Sequence, residues 1–478
     1  MIARLLILIA AFSAVLVPNR AFAADTAPDL LIRNVRLIDL AADEPEWREG
    51  MAVLVRNGRI VAVTTGNAIP ATGDMTVIDG KGRYLLPGLY DLHVHLWDQA
   101  GLGAYLAHGV TTIRNASGMP FHLDLAKRIA ASELPGPRLL TTGPILNSHG
   151  ENEQPNHQIV TTRAEARAAV RSQYEQGFRH VKVYSNLTRE AWGGIRDEAA
   201  KRGMSIMGHT PEGVRTAGVP REKPFDMAFE PFLNSGFVTI EHVESIVWHA
   251  LRNRHDAQAA RKLASRIAAS GTAVDPTLVA FRNLLHVAET RGKYLRRPGT
   301  ELMNPLIMSL EAPNFERWSN EAVEPNAEAF AFQKEVTRML ADAGVLLVAG
   351  TDAGIFTNVP GASLIDELEL LEEAGLSPAQ VLRIATLNPA IALNEDAERG
   401  RIAVGQVADM VLTEADPLAD FATLRRPALV VTAGLPFDRE ALDSLLAEAA
   451  HPDLARTQAN LIAGLQAQGS DAGILTGE

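Results

Sequence analysis

Four short apolar stretches follow one another early in the chain, over 30–38, 51–55, 60–63 and 76–79. The first, from Leu30 to Ile38, alternates with a period near two, the mark of a strand buried on one face. Between the second and third stands Arg56-Asn57-Gly58-Arg59. An Asn-Gly pair between apolar runs predicts a tight hairpin, because both central residues of such a turn take positive φ. From residue 87 the pattern changes. Short apolar runs now alternate with stretches of helical character, for example 163–176 and 189–202. That alternation predicts βα units and a parallel sheet. Candidate strands end near His95, Asn115, Gly143, Tyr184, His209, His242, Thr277 and Asp352. A repeated β-then-α pattern of that extent predicts an α/β fold, a (β/α)8 TIM barrel over 87–390.

Beyond the barrel, 400–412 and 428–433 return to strand character. They are expected to rejoin the N-terminal strands, so that 24–86 and 391–436 together build a small β-sandwich domain. The segment 437–478 reads as a helical tail on the surface. Two connections, 211–236 and 290–318, are too long for plain turns. Long loops on the rim of such a fold tend to cap its site.

The first 23 residues are a separate object. Arg4 precedes an apolar run over 5–17, Pro18 breaks it, and Ala21-Phe22-Ala23 is a small-x-small cleavage pattern. The run is shorter than the roughly 20 residues that span a bilayer. It predicts a cleaved signal peptide and an exported protein, periplasmic or extracellular, with no stable membrane insertion afterwards.

Composition adds exclusions. Apolar residues make up 47% and charged residues 21%, so the chain can bury a core and is not globally disordered. A formal net charge of -12 argues against nucleic acid and anionic membranes as partners. The expected partner is a small-molecule substrate, with a homo-oligomer left open. The chain contains 0 cysteines, so any metal must be held by histidine, carboxylate or a less usual ligand.

The sharpest chemical signal is Asp91-Leu92-His93-Val94-His95 at the end of the first barrel strand. Residues i and i+2 of a strand share a face, so His93 and His95 can grip one ion. Lys182 lies inside the apolar run Arg179-His180-Val181-Lys182-Val183-Tyr184. Burying an ammonium is costly, and a desolvated lysine gives up its proton readily. The neutral amine can add carbon dioxide to form a carbamate, a two-oxygen anion suited to bridging two cations. His209 and His242 each close an apolar run, and as a pair on successive strands they make a second grip. Asp352 ends the last run, where a carboxylate can bind metal and accept a proton, or simply cap the next helix.

In that order the motifs resemble the amidohydrolase superfamily, closest to the branch holding imidazolonepropionase and prolidase-like Xaa-Pro dipeptidases. The resemblance extends to Ala385-Thr386-Leu387-Asn388-Pro389-Ala390 after the barrel. It implies one metal on His93, His95 and Asp352, a second on His209 and His242, and carboxylated Lys182 between them. Zinc is the favoured metal for such nitrogen and oxygen donors. It also implies that Asp352 carries the proton in hydrolysis of an amide bond, in a dipeptide or an N-acyl amino acid.

Candidate substrate contacts are Tyr184, His149 and the loop cations Arg291, Arg296 and Arg297, which could receive a carboxylate. His157 shares the loop of His149. His209-Thr210-Pro211-Glu212 also spells His-x-x-Glu. In one-metal relatives a glutamate at this spacing shuttles the proton, which leaves a mononuclear deaminase or cyclic-amide hydrolase using Glu212 as one alternative. A lactonase or phosphotriesterase is another, and a non-catalytic binding relative a third.

Overall fold

The hairpin at Asn57-Gly58 turns with φ of 48° and 73°, and its arms are the strands Trp47–Arg56 and Arg59–Thr65. The computed structural model describes residues 29–476 except 43, 67, 72, 74, 152 and 215–224, so the signal peptide expected over 1–23 lies outside the described residues. The hairpin belongs to an eight-stranded mixed sheet that takes strands from both ends of the chain. Its order is Leu435–Asp438, Leu429–Thr432, Met410–Thr413, Tyr84–Pro87, Leu30–Ile38, Trp47–Arg56 and Arg59–Thr65, with Thr76–Asp79 paired beside Leu30–Ile38. The alternation read from the sequence is what this sheet buries. Leu30, Ile32, Val53, Ile60, Met410 and Val431 pack in one cluster drawn from its two ends.

The middle of the chain is α/β with parallel pairing. Leu89–Val94, Val110–Asn115 and Arg138–Thr141 form one parallel sheet. His180–Val183, Ser205–Gly208, Phe237–Glu241 and Ala273–Asp275 run in parallel through another. Isolated parallel bridges join Thr142 to His180, Val274 to Leu347, and Val94 to Ala353. The helices between the strands have clear local causes. Thr162 and Glu165 make a capping box at the start of Arg163–Gln176, and Thr188 caps Arg189–Arg202. Among the described residues no helix is long and apolar enough to cross a membrane.

Three expectations change. The eighth run, 345–352, is not a continuous strand. Its backbone pairs piecemeal: the Ala349 N–H goes to Ile384, and Asp352 takes φ of 56°. The connection 290–318 is largely helical rather than open loop, with turns at Lys293–Arg296 and Thr300–Leu302 and helices Pro305–Leu310 and Ala312–Ser319. The loop after the third run contains two short strands, Ile145–Asn147 and His157–Ile159, which extend the parallel sheet beside His180–Val183.

Candidate metal centre

Parallel strands send their C-terminal ends to one side, and that is where the titratable side chains gather. His93 is on the strand Leu89–Val94 and His95 just past its end. Lys182 is on His180–Val183. His209 and His242 directly follow Ser205–Gly208 and Phe237–Glu241. Asp352 arrives on the irregular segment. All six line one cavity of about 550 Å³. His93, His95, Lys182 and Asp352 are buried, at 1%, 7%, 2% and 5% exposure, too deep for ordinary surface polarity.

The ligating atoms converge. Asp352 Oδ1 lies 3.0 Å from His93 Nε2 and 3.1 Å from His95 Nε2. Asp352 Oδ2 is 3.8 Å from His242 Nε2. Lys182 Nζ is 2.9 Å from His93 Nε2. The His209 ring lies 4.7 Å from that of His242, which lies 4.7 Å from that of His93. Three of the four histidines are anchored from behind through Nδ1: His93 on Glu241 at 2.8 Å, His95 on Ser117 at 2.9 Å, and His209 on Ser245 at 2.9 Å. An anchored Nδ1 fixes the ring and presents the Nε2 lone pair, the arrangement that metal-ligating histidines use.

Electrostatics agree with that donor set. Burial holds His209 well below the usual histidine range and His242 down to about 3, so both are neutral imidazoles able to donate a lone pair. Burial likewise pushes the Lys182 ammonium down to about 8, although Glu241 and Asp352 pull it back up. Burial alone would raise the Asp352 carboxyl. The charge of His93 and the hydrogen bonds from His93 and His95 outweigh it and keep the group ionised. Two neutral imidazoles, a carboxylate and an amine whose charge burial disfavours, gathered on one cavity, fit divalent cations.

Behind these residues is a layer that the sequence reading missed. Glu241 is fully buried between His93 and Arg114, and the Arg114 guanidinium also donates to the Leu92 carbonyl and to Thr239. Burial disfavours the Glu241 charge, but Arg114 and His93 hold it well below the usual range. Its neighbour Asp275 is driven well above by burial and by Glu241 itself, so one proton serves the pair. Arg114 is likewise a long cation within a fully buried strand, Val110–Asn115, but the threonines and asparagine of that strand give less apolar contrast than the run around Lys182. Gly354 packs closely against the backbone of His95. It has φ of 101°, and a Cβ there would come 2.0 Å from the His95 carbonyl oxygen. Gly354→Ala is therefore expected to lower turnover and to cost about 1–3 kcal/mol of stability in urea denaturation. A variant as stable and active as the parent would show that this close approach is unimportant.

The proposed substrate contacts divide. Tyr184 lines the cavity, its ring 4.2 Å from that of His209. Glu212 lines it too and accepts from Trp248 Nε1 at 3.2 Å. His157 is on the wall, 4.7 Å from the Tyr184 ring. His149 instead is exposed and pairs with Glu153. None of Arg291, Arg296 and Arg297 is among the lining residues. Arg291 donates to the carbonyls of Ser319 and Glu321, Arg297 holds Thr357, and Arg296 is exposed. The arginine on the cavity wall is Arg317, presented with Glu311 and Asn314 by the helical stretch that replaced the expected loop.

A model of the amidohydrolase family matches residues 84–435. The chain is 24% identical over 394 residues to an imidazolonepropionase of Idiomarina loihiensis, covering 75% of this chain and 85% of that protein. An adenine deaminase of Desulforamulus reducens is 35% identical over only 77 residues, 16% of this chain and 12% of that protein's length. Among solved structures, a prolidase candidate from Bifidobacterium longum superposes with a TM-score of 0.64 at 26% identity, over 89% of this chain and 99% of that one.

Proposed function

Because the chain belongs to the amidohydrolase family, we propose that it is a binuclear metal-dependent hydrolase that cuts an amide bond in a dipeptide or N-acyl amino acid. The observation that carries this reading is the convergence of His93, His95, Lys182, His209, His242 and Asp352 on one cavity. His93, His95 and Asp352 would hold one ion and His209 and His242 the other, with carboxylated Lys182 between them and zinc as the favoured metal. Such ions supply an activated water and polarise the substrate carbonyl. Asp352 takes the proton as the water oxygen bonds to the amide carbon, then delivers it to the nitrogen as the C–N bond breaks. Tyr184 contacts the substrate beside His209, and Arg317 takes over the carboxylate-binding role once expected of the loop arginines.

The same reading has a fold, a domain plan and an address. The isolated bridges support closing the parallel strands and the 345–353 segment into a (β/α)8 barrel over 87–390. The mixed sheet would then be a β-sandwich domain from 24–86 and 391–436, followed by the tail 437–478. Export by the leader at 1–23 would place the protein in the periplasm or outside the cell.

Metal analysis of the purified protein and of Lys182→Ala tests the centre. Two ions per chain, falling on loss of the lysine, are expected. One ion, indifferent to Lys182, would overturn the binuclear reading. It would favour the second reading, a mononuclear deaminase or cyclic-amide hydrolase, for which the buried position of Glu212 on the cavity wall is the supporting observation.

A further inference from the structure

The C-terminal helix Leu454–Gln468 lies outside the stretch matched by the family, 84–435, yet it forms part of the cavity wall. Leu461 and Leu465 are four residues apart, hence on one helix face, and both line the cavity. Leu461 packs in one apolar cluster with Trp97, Met119 and Ile307, which also line it. That cluster begins beside the reacting centre: the Trp97 ring stacks on His95 at 6.1 Å. Gly464 has no side chain, and Met119 fills that space, its sulfur 2.5 Å from where a Cβ would be.

The helix is held in place rather than resting on the surface. Arg456 grips the buried Asp98 carboxylate through Nε at 2.7 Å and Nη2 at 2.8 Å. A bidentate pair of this kind fixes geometry as well as charge. Asn304 Nδ2 donates to Thr457 Oγ1 at 3.0 Å in a buried contact, tying the helix to the start of the neighbouring helix Pro305–Leu310. A cavity of about 550 Å³ is in the range of roughly 300–1,000 Å³ that takes drug-sized ligands. Releasing water from the apolar stretch of wall made by Trp97, Met119, Ile307, Leu461 and Leu465 favours an apolar ligand there.

We propose that this wall is an acyl-chain subsite, and that the substrate carries a long apolar acyl group running from the scissile carbonyl over Trp97 to Leu461 and Leu465. The inference rests on the amide-hydrolase reading and narrows it from small dipeptides to amino acids acylated with a medium or long aliphatic chain. Arg456 is a positioning residue, acting through the place it gives the helix.

The test uses the full-length protein and N-acyl amino acids from acetyl to decanoyl. Specificity, kcat/KM, is expected to rise by about fourfold per added methylene until the wall is covered. In the double variant Leu461→Asn/Leu465→Asn the decanoyl-to-acetyl ratio should fall at least tenfold, through KM more than kcat. Arg456→Gln should lower the same ratio in a protein whose melting temperature confirms folding, in case the double variant does not fold. Specificity that is flat or falls with chain length, or a ratio unchanged in both variants, would overturn the subsite. Calorimetric binding of free fatty acids of the same lengths separates the two claims. Affinity that rises with length and is lost in the variants, with no amide cleaved at any length, would sink the hydrolytic reading and keep the subsite. Cleavage of acetyl substrates alone, with length-independent binding, would do the reverse.

Discussion

Asp352→Asn is expected to lower kcat about 10²–10⁴-fold while metal content stays near that of the parent. The substitution is informative because it changes so little else. Asp352 has φ of 56°, in the left-handed region that asparagine tolerates as well as aspartate. Its backbone N–H, donated to the His93 carbonyl at 2.8 Å, remains. An amide oxygen can occupy the place of Oδ1, 3.0 Å and 3.1 Å from the two histidine nitrogens, and so can still serve as a ligand. What the amide cannot do is accept a proton from the attacking water and hand it to the leaving nitrogen. Turnover and elemental analysis on the same preparation therefore separate proton transfer from binding. Activity within about tenfold of the parent, with metal intact, would remove Asp352 from that role. Loss of metal together with activity would leave it as a ligand only.

How much of this was legible depended on whether the signal was local. Leu30–Ile38, Arg163–Gln176 and Arg189–Arg202 have the limits their periodicity and caps predict, since hairpin turns, capping boxes and terminal glycines act within a few residues. The six candidate ligands were visible for the same reason: each is an ionisable residue at the end of, or inside, an apolar run. The segment 345–352 misled because apolar composition does not fix backbone pairing, and here Ala349 and Asp352 turn to partners far away in the chain. Arg291 and Arg297 misled because a cation in a long connection was read as free, whereas their hydrogen bonds go to backbone and hydroxyl groups 28 and 60 residues away. The C-terminal wall was invisible for a further reason. Leu461 and Leu465 make an ordinary amphipathic face, and only tertiary packing shows that this face meets a cavity rather than a core.

Arg114→Met is expected to destabilise the protein by about 3–5 kcal/mol and to weaken metal binding about 10–100-fold, although Arg114 is not among the residues lining the metal-site cavity. Arg114 is 1% exposed and Glu241 fully buried, with 3.1 Å between Nη2 and Oε1. Removing one partner leaves an unpaired carboxylate in the interior, which costs far more than the net worth of an intact pair. The charge has two ways out, and both reach the metal site. If Glu241 takes up a proton, the charge-assisted hydrogen bond it accepts from His93 Nδ1 weakens to an ordinary neutral one. If it stays charged, it draws toward Lys182, whose amine the proposed carbamate needs neutral. Replacing both members, Arg114→Met with Glu241→Met, removes the buried charge altogether and should recover much of the stability. It should not recover metal affinity, because His93 then has no partner at Nδ1 to orient its ring. Urea denaturation and metal titration on the two variants therefore separate the readouts: both fall in the single variant, and only stability returns in the double. A single variant that loses less than about 1 kcal/mol, or a double variant that regains stability and metal affinity together, would show that the Arg114–Glu241 pair does not position His93.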